Sequence, residues 1–391
     1  MSRLAIVALL LAAAPAVSAQ ADSGAVQGSI YSRPFIASAG RTAIGGYLEA
    51  NAHYAQSDGV TEGLSMELRR FNIFLFSSVG SRLRFISELE FEHGTEEIAL
   101  ETALLDLRVS PALVLRGGIL LPPVGAFNQN HDGPRWEFVD RPLVSTEIIP
   151  ATLSEVGFGA NGRFAIAGRA LTYDAYVTNG LGDGVIDNET GRTHLASGKR
   201  AEQFGEDDNG VPAFSGRIAA RTGRTEFGLS AYATVYNRFR SEGAVVDERR
   251  SLSLVAFDAQ GELPRGITLR GEVAFARIEL PPSVTEMLGG RQWGFHLDAV
   301  APMHRFARGP FEGGVINATA RLEHVDLNVG RFSSTGGMIG DDRSAMTLGV
   351  SFRPAAGTVF RANYRREWAH DLFRNAAARS GAFQAGLATY F

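Results

Sequence analysis

Residues 69–94 read RRFNIFLFSSVGSRLRFISELEFEHG. From Leu83 onward the stretch alternates strictly, with Leu83, Phe85, Ser87, Leu89 and Phe91 on one side and Arg84, Ile86, Glu88, Glu90 and Glu92 on the other. Successive strand side chains point to opposite faces, so one apolar face is backed by one charged face. The run FNIFLF at 71–76 precedes it across a turn at 77–81, which makes the unit a β-hairpin. A soluble sheet buries its apolar face in a core, whereas a membrane barrel turns it toward lipid. The rest of the chain bears on that choice.

At 391 residues the chain suffices for two or three globular domains or one large barrel. Its 45 glycines suit many turns, and the lack of cysteine removes disulfides and thiolate metal ligands. A formal net charge of -4 argues against a nucleic-acid binder, which shows a basic footprint. Residues 1–21 have the form of a secretory signal peptide: Arg3, an apolar run over 4–14, then Val17, Ser18 and Ala19. That run is too short to anchor a chain, which takes roughly 20 residues. A loose periplasmic segment is expected over 22–40, followed by the main body over 41–391.

Strand-like segments recur near 43–55, 64–77, 83–93, 98–109, 113–121, 154–164, 171–179 and 214–221. They continue near 226–236, 251–259, 267–278, 292–300, 315–326, 345–352, 359–368 and 382–391. Connections alternate between short turns, such as 79–82, 110–112 and 222–225, and long loops at 122–153, 180–213, 237–250, 280–291, 327–343 and 369–381. Only 302–313 spoils the pattern. Short periplasmic turns and long extracellular loops belong to outer-membrane barrels. Within strands, Phe227, Leu229, Ala231 and Ala233 alternate with Glu226, Ser230, Tyr232 and Thr234; Phe360, Ala362 and Tyr364 alternate with Arg361, Asn363 and Arg365. Arg or Lys facing lipid at mid-membrane costs on the order of 2–4 kcal/mol, so the charged set faces a wet interior. A large soluble barrel would have to expose Glu88, Glu90, Glu92, Arg361 and Arg365 outside, which any one hairpin alone permits. The last strand places Phe383, Ala385, Leu387, Thr389 and Phe391 at period two. It resembles the signal read by the outer-membrane assembly machinery, an expected partner. The expected fold is all-β: a transmembrane antiparallel β-barrel of about 16 strands.

Several stretches carry a family resemblance: RFNIFL at 70–75, ELEFEHG at 88–94, LRGGILLPPVGAFN at 115–128, DRPLV at 140–144, IIPATLSEVG at 148–157 and YDAYVTNGL at 173–181. In order and spacing they resemble the phosphate-selective porins of the O and P type, most clearly over 45–181. The resemblance implies a sixteen-stranded barrel in a Gram-negative outer membrane. It also implies a homotrimer, an inward-folded third loop at 122–153 as constriction, and passive diffusion of anions such as phosphate or of small solutes. Such members line the pore with arginines and lysines. Here the loop has Arg135 and Arg141 but also Asp132, Glu137, Asp140 and Glu147. Expected lumen arginines are Arg84, Arg116, Arg163, Arg217, Arg270, Arg321, Arg361 and Arg365, facing Glu88, Glu90, Glu92, Glu101, Glu226, Glu272, Asp298 and Glu323. Rings of one sign select the opposite ion, and an even mixture selects weakly.

Enzymatic signals are weak. No Gly-x-Ser-x-Gly elbow occurs. Glu92 and His93 with Glu96 and Glu97 lack a ligand spacing and read as a solvated hairpin tip. Carboxylates at 206–208 and at Asp341 and Asp342 could hold Ca²⁺ among lipopolysaccharide phosphates, against the plainer reading of solvated loops. Tyr47, Tyr54, Tyr173, Tyr176, Tyr364, Trp368 and Tyr390 lie near strand ends, as aromatic girdles do, and Trp136 is placed to pack the third loop on the wall. The expectation is a cofactor-free porin among lipid and lipopolysaccharide, without catalytic or metal residues. The alternative is a structural or adhesive barrel with a plugged lumen and partner-binding outer loops, chiefly 180–213.

Overall fold

In a computed structural model describing residues 30–37, 41–166, 168–199 and 204–391, the chain forms a closed antiparallel β-barrel of sixteen strands. The expected leader at 1–21 lies outside the described residues. The wall runs β1 (Thr42–Ser57), β2 (Val60–Val79), β3 (Leu83–Glu92), β4 (Glu97–Ser110), β5 (Leu113–Leu120), β6 (Glu155–Ile166), β7 (Arg169–Thr178), β8 (Ala213–Thr222) and β9 (Thr225–Val235). A two-stranded hairpin, β10 (Arg240–Ser241) and β11 (Ala244–Val245), stands apart in a loop. The wall resumes with β12 (Ser251–Glu262), β13 (Thr268–Ile278), β14 (Arg291–Arg305), β15 (Val315–Asp326), β16 (Asp342–Ala355), β17 (Thr358–Ala369) and β18 (Ala378–Tyr390). Each wall strand pairs with its neighbour in sequence, and β1 closes on β18 with Tyr47 opposite Tyr390. Closure leaves no sheet edge, the condition for a sheet in hydrocarbon.

The alternation becomes two faces. On β9, Phe227 and Leu229 are 44% and 57% exposed outside, while Glu226 and Ser230 are 8% and 1% exposed inside. Leu83, Phe85, Leu89 and Phe91 likewise face out, and Glu88 and Glu90 are buried inside. Apolar outside and polar inside is the inverse of a soluble barrel. Each expected strand segment is present, mostly longer than its periodicity showed: 345–352 lies within a β16 of fourteen residues.

Loop alternation holds with exceptions. On the long-loop end, β1 and β2 meet through Asp58 and Gly59 alone, whose φ of 47° and 87° make a two-residue turn with both residues left-handed. The β3–β4 tip at 93–96 is also short. On the other end, 306–314 remains long, and β14 passes Pro302 through a ladder irregularity between Pro302 and His304.

Candidate channel lumen

The connection between β5 and β6 contacts the inner wall. Four of its backbone N–H groups donate to wall side chains: Gly125 to Ser230 Oγ at 2.8 Å, Ala126 to Glu272 Oε2 at 2.6 Å, Val139 to Asn363 Oδ1 at 3.0 Å and Leu143 to Glu323 Oε1 at 2.8 Å. Its apolar residues Leu143, Val144, Ile148 and Ile149 cluster with Leu252, Leu254, Ala274 and Ala276 of the wall. Trp136 lies 4.6 Å from the Phe127 ring, its Nε1 donates to the Asn130 carbonyl, and Arg270 stacks over it at 4.3 Å.

Two further segments enter. Leu181, Val185 and Leu195 are buried in the same apolar cluster, and Lys199 Nζ donates to the Thr152 carbonyl at 3.1 Å. Residues 181–186 and 193–198 therefore pack inward, while 189–191 and 205–206 stay exposed. Three leucine and valine side chains in a polar stretch were the available signal. Residues 30–37, expected to be part of a loose periplasmic segment, also lie inside. Arg33 is 2% exposed and reaches Glu88 at 3.1 Å and Asp132 at 2.9 Å, and Phe35 stacks on Phe74. No periodicity marks that segment, so its docking had no sequence signal.

The expected lumen charges share the inner face but are largely neutralised in pairs. Arg116 grips Asp106 with Nε and Nη2 at 2.7 and 2.8 Å, and Arg217 reaches Asp258 at 2.6 Å. Arg321 holds Asp298, Arg361 holds Glu49 at 2.8 Å, and Arg365 holds Glu323 at 2.6 Å. Glu88 answers Arg33, while Glu90 and Glu92 both face Arg70. Arg84 lies 5.6 Å from the Tyr31 ring, and Arg270 donates to Gln260 at 3.0 Å. Arg163 has the inward parity but is exposed near the short-turn end. In the loop, Arg135 bonds Tyr390 and Asn130, and Arg141 bonds Thr152 at 3.3 Å. Such a wall presents mixed dipoles, not a ring of one sign.

Two groups in the inward segments show what this environment does to charge. Burial opposes the charged form of His131, but the carboxylates of Glu101 and Glu88 outweigh it and push the imidazole up to about 10. Burial likewise opposes the Asp132 carboxylate, yet Arg33 and Arg135 hold it well below the usual carboxylate range.

The girdle expectation needs correction. Tyr47 and Tyr176 are 0% and 2% exposed inside the barrel, and Tyr390 donates inward to Asp132 at 2.6 Å. Proximity to a strand end says nothing of parity, and Gly46 and Leu48 beside Tyr47 leave it unmarked. Tyr54 and Tyr364 do face out, at 48% and 39% exposure. At the β3–β4 tip His93, Glu96 and Glu97 are exposed, and His93 Nδ1 lies 3.0 Å from Glu67.

No family model matches the chain. A protein of Aquifex aeolicus (strain VF5), described as uncharacterized, is 36% identical over 182 residues, 45% of this chain. The match spans only 40% of that relative's length. Among solved structures, an anion-selective porin from Comamonas acidovorans superposes with a TM-score of 0.54 at 12% identity, over 90% of this chain and 99% of that one. OprB of Pseudomonas putida gives 0.55 at 8% identity, over 89% and 94%. In vitro folded OmpT of Vibrio cholerae, an outer membrane protein, gives 0.54 at 9%, over 90% and 98%. The fold is that of the outer-membrane porins.

Proposed function

We propose that the protein is a porin-class channel of a Gram-negative outer membrane, narrowed at its waist by 122–153 and passing small polar solutes by diffusion with weak charge preference. The carrying observation is the ion-paired polar interior inside an apolar outer face. Several inner atoms have no protein partner, among them both ring nitrogens of His296, Thr319 Oγ1 and Thr347 Oγ1. Buried polar atoms of this kind are satisfied by water or a polar solute. The balance of arginine and acid gives phosphate no support as cargo. Export through 1–21, contact with lipopolysaccharide, insertion through the terminal strand and assembly as a homotrimer belong to the same proposal; one V. cholerae OmpT structure of this fold is a trimer form.

One observation favours the structural barrel: at the waist Glu88, Asp258 and Arg321 are 0%, 1% and 1% exposed, so the inward segments cover the wall there. Planar-bilayer conductance separates the two readings. Open-channel current from the purified protein supports the porin, and its absence supports the plug.

A further inference from the structure

Glu88 on β3, Glu101 on β4 and His131 on the inward loop each direct one potential ligand atom to a common point, all within 4.8 Å of one another. His131 Nε2 lies 3.1 Å from Glu101 Oε2 and 3.7 Å from Glu88 Oε1. Tetrahedral bonds of about 2.0–2.1 Å put ligand atoms roughly 3.3–3.4 Å apart, which the two histidine contacts bracket. All three residues are buried, at 0%, 8% and 2% exposure.

Acidic proximity alone would be weak, but other observations point to a ligand. His131 Nδ1 lies 2.8 Å from the Asn128 carbonyl, which only accepts, so Nδ1 carries hydrogen and Nε2 is the nitrogen aimed at the carboxylates. Ligating histidines are oriented in this way by the other ring nitrogen. Nε2 and Glu101 Oε2 are buried against each other as an ion pair, and neither atom has any further hydrogen-bond partner, so a cation entering there would take the place of the imidazole proton. Glu101 arrives through a bulge: the β3–β4 register skips it between Leu100 and Thr102. Strict alternation with Thr102 and Leu104 would place it outside, and the bulge re-aims it inward. Glu88 is oriented in turn by Asn72 Nδ2 at 2.7 Å and Arg33 Nη2 at 3.1 Å.

We propose that Glu88, Glu101 and His131 bind one divalent transition-metal cation of the zinc type, which ties the inward loop to the wall. One imidazole and two carboxylates form an N/O donor set that suits Zn²⁺, whereas Ca²⁺ takes six to eight oxygens. Any proton on Nε2 leaves to solvent as the ion enters. The site needs the folded barrel and stands whether or not the lumen conducts.

The test uses the full chain folded in detergent, stripped with EDTA and dialysed against ZnCl₂, with bound zinc measured by atomic emission. One zinc per folded chain is expected, with affinity lowered at least about tenfold in both His131→Ala and Glu101→Gln. Heat-modifiable electrophoretic migration shows that each variant is folded. If His131→Ala does not fold, the isosteric Glu101→Gln variant decides. Substoichiometric zinc on the folded wild type, or unchanged affinity in the folded variants, overturns the proposal.

Discussion

Arg321 holds Asp298 with two arms, Nε to Oδ1 at 2.6 Å and Nη2 to Oδ2 at 2.9 Å, from directly opposed positions on β15 and β14. Both side chains are nearly sealed from solvent, and Arg321 also donates to the Asp140 carbonyl of the inward loop at 2.8 Å. The pair therefore joins two wall strands and the loop. Arg321→Met would strand a buried carboxylate and lower folding free energy by about 3–5 kcal/mol. Urea titration of folding into phospholipid vesicles measures this. Arg321→Met with Asp298→Leu should recover much of the loss, because no charge is left unpaired.

Gly228 lies beneath the Arg217–Asp258 pair, which spans β8 to β12 across β9, and a Cβ there would collide with both side chains. Gly228→Ala should cost about 1–3 kcal/mol through overpacking. The same vesicle titration reads it. A neutral outcome would mean that the pair has room to move.

Leu229 is 57% exposed on the outer face. Leu229→Arg should cost about 2–4 kcal/mol if that face meets hydrocarbon at mid-depth. A soluble barrel would feel such a surface change by only about 0.5 kcal/mol. Folding free energy in bilayers distinguishes the two values.

Asp247 on the 236–250 loop is held by Arg250, whose hydrogen bond lowers the carboxylate to about 2. The sign is that of a depressed acid: the contact contributes fully above the unfolded value of 3.8 and is lost as pH falls through about 2. A carboxyl NMR titration of Asp247 should show a midpoint near 2, and Arg250→Gln should return it toward about 3.9.

Strand existence was legible because period two runs through most of each wall segment, broken only at local bulges, and the outward side followed from Phe227, Leu229, Phe360 and Tyr364. Ion pairing was not. Which charges oppose each other depends on register, and a slip of one residue moves every side chain to the other face. Asp298 and Arg321 meet only because Leu297 stands opposite Leu322. Glu101 shows the same limit, since its inward direction comes from a bulge that alternation cannot reveal. The inward course of 122–153 was expected from resemblance alone, whereas the docking of Arg33 and of Leu181, Val185 and Leu195 depends on tertiary contacts with residues far along the chain.

The most direct test is single-channel recording in planar bilayers, comparing the full chain with a variant lacking 122–153. The account predicts a small open-channel current for the full chain, a severalfold larger current for the variant, and a reversal potential near zero in a KCl gradient. No current from either protein, with both folded, would contradict it.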